Sequence, residues 1–102
     1  MIRKFVIPKE LGDEIEVRLL QWCRAEGEQI AVDDALLEFE TDKAIVLVTA
    51  SQPGVLRKCF FGAGDWLKPG EVAAWLSDTA DEPLPGPDAA LDDTLLVAFE
   101  AT

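Results

Sequence analysis

The brevity of its apolar runs limits most what this chain can fold into. Val, Ile, Leu and Phe recur in clusters of a few residues, each cut off by Gly, Pro or Asp, and no helical face of useful length appears. The texture predicts an all-β domain with strands over 4–7, 16–23, 29–31, 36–41, 44–48, 54–60, 66–67 and 72–76. Eight short strands with close turn signals predict a flattened eight-stranded barrel or sandwich of two antiparallel sheets. At 102 residues the chain holds one domain at most, and the apolar pattern stops near residue 78.

An internal echo refines this. Shifted by 37 residues, Gly27-Glu28-Gln29-Ile30 falls on Gly64-Asp65-Trp66-Leu67, Asp34-Ala35 on Glu71-Val72, Leu19 on Leu56 and Phe39 on Leu76. Two half-domains with the same grammar imply an approximate two-fold axis, and together they close a core that neither buries alone. Residues 79–102 have no counterpart. Residues 79–87 are acidic and Pro-rich and read as an extended linker, while 94–99 is apolar. That last segment is compatible both with a strand added at a sheet edge and with an unstructured tail.

Charge and residue usage exclude several function classes. Residues 1–78 hold 9 basic and 14 acidic side chains, net −5, and residues 79–102 add 6 acids and no base. Such a surface repels phosphate, which argues against nucleic acid and anionic membranes. The chain has no histidine, which removes the usual general base, the Ser-His-Asp and Cys-His pairs and any His-ligated metal. Cys23 and Cys59 are too few and too far apart for a zinc site. They fall one position apart in the half-repeat, so they can lie near each other in space. The first residues carry too short an apolar run for a secretory signal, and no stretch is long enough to span a membrane as a helix. A reducing cytoplasm is the expected location, with both cysteines as free thiols.

The stretch 36–48 carries the chemistry. If Asp42 and Lys43 form a two-residue hairpin turn, Asp42 suits the left-handed backbone such turns need. Thr41 then opposes Ala44, Glu40 opposes Ile45, Phe39 opposes Val46 and Leu37 opposes Val48. Leu37, Phe39, Val46 and Val48 share a core face, with Glu38 and Glu40 on the other. Slipping by one residue would turn both acids inward, at a cost. This register sets the Lys43 amine in water at the tip. Nothing there would strip it of solvent, as a catalytic amine requires, so the geometry suits presentation of the amine to another enzyme.

Glu40-Thr41-Asp42-Lys43-Ala44 resembles the lipoylation motif of the acyltransferase (E2) components of 2-oxo acid dehydrogenase complexes. Ile7-Pro8-Lys9 followed by Leu11-Gly12 resembles the opening Met-Pro-Lys-Leu-Gly of that family, with Glu10 inserted. Trp22, Glu26, Asp34, Leu37, Glu38 and the small residues of 50–54 fall where the family has similar ones. Gly27 lies 16 residues before the lysine and Gly54 lies 11 after it, as in lipoyl domains. The resemblance covers residues 2–78 and implies a flattened barrel with lipoic acid amide-linked to Lys43. It further implies that Glu40, Asp42 and Ala44 help the modifying enzyme recognise the turn, and that Gly27 and Gly54 permit turns with positive φ. Leu11, Gly12, Asp13 and Glu14 would form the loop that partner decarboxylases inspect. Implied partners are a lipoate ligase, or an octanoyltransferase with lipoyl synthase, together with a thiamine-dependent decarboxylase (E1), the acyltransferase core (E2) and dihydrolipoamide dehydrogenase (E3). The lipoyl-lysine would act as a swinging arm carrying acyl groups and reducing equivalents between active sites, with the domain itself non-catalytic and monomeric.

Other readings fit less well. Biotin domains flank their lysine with methionine, whereas Asp42 and Ala44 stand here. Glycine-cleavage carriers resemble Glu-Ser-Val-Lys-Ala and are longer. Unmodified lipoyl-like docking modules lack the lysine, and a free-standing enzyme has neither histidine nor room for a cleft. Full acyltransferases continue into further domains, so the sequence reads either as the N-terminal part of one or as a stand-alone carrier.

Overall fold

Strand alternation decides which side chains meet. In Ile45–Ala50, Val46, Val48 and Ala50 are buried while Ile45 and Thr49 face outward, the period of two expected of a half-buried strand. A computed structural model describes residues 1–7, 16–86, 91 and 93–101, and among them no helix occurs. The strands are β1 (Ile2–Val6), β2 (Val17–Trp22), β3 (Gln29–Ile30), β4 (Ala35–Glu40), β5 (Ile45–Ala50), β6 (Gly54–Cys59), β7 (Trp66–Leu67), β8 (Val72–Ser77) and β9 (Val97–Ala101).

They form two antiparallel sheets, one of order β1-β8-β6-β3 and one of order β7-β2-β4-β5-β9. Exchanging β1 with β5, β8 with β4, β6 with β2 and β3 with β7 turns the first sheet into the first four places of the second. The hydrogen bonds obey the same exchange. Gly27 N donates to Leu56 O at 2.6 Å and Gly64 N to Leu19 O at 2.7 Å, while Leu56 N donates to Glu28 O and Leu19 N to Asp65 O. Strands β2 and β6 also carry equivalent bulges, at Leu19/Gln21 and Leu56/Lys58. The 37-residue echo is therefore a real two-fold.

The turn acids have a structural job. Glu28 and Asp65 accept from the backbone N–H three residues earlier, at Ala25 (2.9 Å) and Gly62 (2.8 Å). Asp34 and Glu71 do the same for Ala31 and Lys68, both at 2.9 Å. A side-chain oxygen that closes a tight turn satisfies a donor the sheet cannot reach. Between the sheets, Phe5, Ile7, Val17, Leu19, Leu37, Phe39, Val48, Leu56, Leu67 and Leu76 make one buried cluster. Trp75 closes its flank, edge-on to Phe60 with centroids 5.1 Å apart.

Strand β9 breaks the two-fold. It pairs antiparallel with β5, from Val97 opposite Ala50 to Ala101 opposite Val46. Its approach is pinned beforehand: Lys4 N donates to Asp93 O at 2.9 Å, Leu95 N donates to Lys4 O at 2.8 Å, and Leu95 is 2% exposed within the core cluster. Arg57 holds the other end of the connection, its Nη1 donating to Ser77 Oγ, Thr79 O and Glu82 O.

Candidate functional site

The β4–β5 hairpin has the register its sequence predicts. Glu40 opposes Ile45, Phe39 opposes Val46, Glu38 opposes Leu47 and Leu37 opposes Val48. Leu37, Phe39, Val46 and Val48 are all buried, and Glu38 and Glu40 lie on the other face. A bulge between Ala35 and Leu37 lets adjacent Leu36 and Leu37 both be buried.

The turn itself differs from the expected one. Neither Asp42 nor Lys43 has positive φ; among the described non-glycine residues only Asp33 does, at 74°. Thr41 replaces the left-handed residue. Its N–H donates to Ala44 O at 2.8 Å, and its Oγ1 accepts from Lys43 N at 3.2 Å and Ala44 N at 3.1 Å. The hydroxyl also lies 3.2 Å from Ala44 O, to which it can donate. A threonine hydroxyl that gathers the turn's free N–H groups holds a right-handed turn closed without glycine. Sequence reasoning missed this because it gave the turn's geometry to Asp42 alone.

At the tip, Asp42 and Lys43 are exposed and Ala44 is half-buried. The Lys43 ammonium makes no ion pair with any described residue, although Glu40 and Asp42 are close in sequence. Behind it the outer sheet face runs in rows. Arg18 stands between Trp66 and Glu40, and Glu40 is followed by Ile45. In the next row Gln21 donates to Glu38, then come Leu47 and Glu100. Trp66 is 59% exposed, so its indole stands in solvent on this face.

The two predicted glycines divide. Gly27 has φ of 94° with open space where a side chain would go, as a positive-φ turn demands. Gly54 does not. It opens β6 without positive φ, and a Cβ there would meet Ser77 O at 3.1 Å, so glycine serves a close strand-to-strand approach. Positive φ recurs at Gly64, also at 94°, which the 37-residue echo already placed on Gly27, and at Gly70, at 93°. Leu11, Gly12, Asp13 and Glu14 lie outside the described residues.

Cys23 and Cys59 do come together, lining one cavity of about 410 Å³ with Trp22, Arg24, Glu26 and Glu28. Burial, then the negative charge of Glu26, pushes the Cys59 thiol up to about 11. Burial and Glu38 raise Cys23 as well. Thiols held protonated are poor nucleophiles, which argues against redox chemistry here. Among the described residues no group of three His, Cys, Asp or Glu could hold a metal ion.

Comparison with known proteins agrees with this geometry. The pattern of the family described as Biotin-requiring enzyme (Biotin_lipoyl) matches residues 4–76. The chain is 36% identical over 74 residues to the dihydrolipoyllysine-residue succinyltransferase component of the 2-oxoglutarate dehydrogenase complex of Bacillus subtilis, covering 72% of this chain and 18% of that protein. It is 32% identical over 84 residues to the Cupriavidus necator counterpart, covering 82% and 20%. It is 45% identical over 40 residues to the mitochondrial pyruvate dehydrogenase protein X component of Mus musculus, covering 39% and 8%. The chain thus spans about a fifth of the length of the succinyltransferase components it matches.

Proposed function

The chain belongs to the Biotin_lipoyl family, and we propose that it is a lipoyl carrier domain whose Lys43 holds lipoic acid through an amide bond. One observation carries the reading: an exposed lysine, without an ion pair among the described residues, at the tip of a hairpin whose turn is fixed by its neighbour Thr41. The site fits the group. A primary amine in water is what amide formation needs, and half-buried Ala44 leaves the flank small. Lipoic acid over biotin is supported by Asp42 and Ala44 beside the lysine, where biotin carriers have methionine, and by relatives that are named as dihydrolipoyllysine-residue transferases.

When bound, lipoic acid supplies a disulfide ring on a long flexible chain, able to carry an acyl group and two electrons. The protein's own residues do the rest. Thr41 keeps the tip in one shape, so the attached arm starts from a fixed point. Leu37, Phe39, Val46 and Val48 root the hairpin in the core, which lets one part of the surface be both rigid and prominent. Glu40 and Asp42 mark the turn with charge for the enzyme that modifies it. A tether raises the local concentration of the carried group at each active site within its reach.

On this reading residues 1–78 are the carrier unit, non-catalytic on their own, and 79–102 are an acidic connector whose residues 93–101 pack back on it. The partners are a lipoate ligase, or an octanoyltransferase with lipoyl synthase, and the decarboxylase, acyltransferase and flavoenzyme of a 2-oxo acid dehydrogenase complex. The test is intact-mass measurement after incubation with lipoate ligase, lipoate and ATP. A single lipoyl increment that vanishes in Lys43→Ala is expected. An increment that survives that substitution, or none on the folded wild-type protein, overturns the assignment.

A further inference from the structure

The edge of β5 is the part of the lysine hairpin that the two-fold does not explain. Its equivalent, β1, ends the other sheet, and β5 would end its own were it not for β9. The segment that reaches β5 is held in two unequal parts. Over residues 93–96 it is anchored: Leu95 is 2% exposed, Ser51 N donates to Leu96 O at 2.9 Å, and Leu96 N donates to Gln52 Oε1 at 2.9 Å. Beyond that it is a strand paired on one side only. Val97 is half-buried, Ala98 and Glu100 are exposed, and Phe99 is 39% exposed. Lifting β9 away breaks one ladder and releases half-buried Val97 from the flank of the core, while the buried cluster keeps its other members, the mark of a segment that opens at lower free energy than the core.

What β9 covers is placed for function. It runs toward the hairpin tip and ends with Ala101 opposite Val46, three residues from Lys43. On the other flank β4 is already paired with β2, where Arg18 opposes Glu40. The β5 edge is therefore the flank of the turn that can be bared without unfolding the domain. A bared edge strand is a template for another chain's extended segment. Glu38, Glu40 and Asp42 around it favour a segment with basic side chains.

We propose that the β5 edge is the docking edge for the enzyme that acylates Lys43, through a basic extended segment of that enzyme, and that β9 is its resident competitor. This rests on Lys43 being the lipoylation site. Attached in cis, β9 competes at a high effective concentration, so it sets the fraction of time the edge is open and hence the rate of loading.

The test uses the full chain with lipoate ligase, lipoate and ATP, reading initial loading rates by intact mass. Adjacent strand residues point their N–H groups to opposite sides, so Ala98→Pro with Phe99→Pro removes a ladder bond whichever faces β5. Leu95 is kept. This variant is expected to load at least threefold faster than wild type, and Ala98→Val, which favours the strand, at least twofold slower. Equal rates in all three, or the reverse order, overturn the proposal while leaving Lys43 as the site. No loading in any version brings down the lysine reading and this one with it. Hydrogen exchange on the wild-type protein supplies a readout independent of the ligase: β9 amides should exchange at least tenfold faster than those of the β4–β5 ladder, and equal protection also overturns the proposal.

Discussion

Replacing Leu95 by alanine tests whether the segment beyond residue 78 belongs to the fold. Leu95 is 2% exposed in the main core cluster, whereas its neighbour Leu96 is 60% exposed. Burying a leucine is worth about 1.5–3 kcal/mol in transfer alone. Truncation to alanine adds the cost of whatever cavity fails to close, so buried leucines lose about 2–5 kcal/mol. Leu95 sits at the seam between two sheet edges, beside Lys4 and the start of β9, where neighbours can relax. The lower part of that range, about 2–3 kcal/mol, is therefore expected. For a domain of this size that corresponds to a fall in Tm of roughly 10–20 °C. Leu96→Ala should stay within about 0.5 kcal/mol, as surface changes do. Urea and thermal unfolding followed by far-ultraviolet circular dichroism read both variants against wild type. If the two neighbours behave alike, the segment does not plug the core and the account of β9 loses its anchor.

Gly27→Ala and Gly64→Ala force alanine into φ near 94° with no neighbour to meet, so each should cost about 1 kcal/mol of backbone strain, and by the two-fold the two costs should match. Clearly unequal losses in urea unfolding would contradict the equivalence of the turns. Thr41→Val keeps the shape and deletes the hydroxyl that gathers two turn N–H groups; about 1 kcal/mol of stability should go, with no loss expected if the turn closed through Asp42. The Cys59 thiol, raised from near 9 to about 11 by burial and Glu26, should alkylate about a hundredfold more slowly at pH 8 than an ordinary thiol. The same shift favours the unfolded chain once its thiol ionises, so this contribution to stability is intact below pH 9 and falls as pH rises toward 11. Iodoacetamide labelling read by mass at several pH values checks the first statement, and labelling as fast as in a short peptide refutes it.

Much of the hairpin was legible because its constraint is local. Two glutamates alternating with Leu37 and Phe39 admit one register, since the other would bury both charges, and the β4–β5 pairing follows that rule residue for residue. The echo was legible for a similar reason: glycines at 27 and 64 recur because a φ near 94° strongly favours glycine over residues with a Cβ. Gly54 and Asp42 show where such reasoning stops. A glycine in a sequence does not reveal whether it is needed for φ or for clearance, and here Ser77 O, supplied by a strand far along the chain, decides. Nor does a turn dipeptide reveal that the residue before it will close the turn with its side chain.

The sequence by itself determined the all-β class, the two half-domains and the lysine at a tight turn, because alternation, turn chemistry and the acidic motif act over a few residues. Tertiary structure alone decided that 97–101 is a strand, that Leu95 fills the seam, and that Cys23 and Cys59 share a cavity. Each depends on an unpaired edge or an open gap that exists only once distant strands have been brought together.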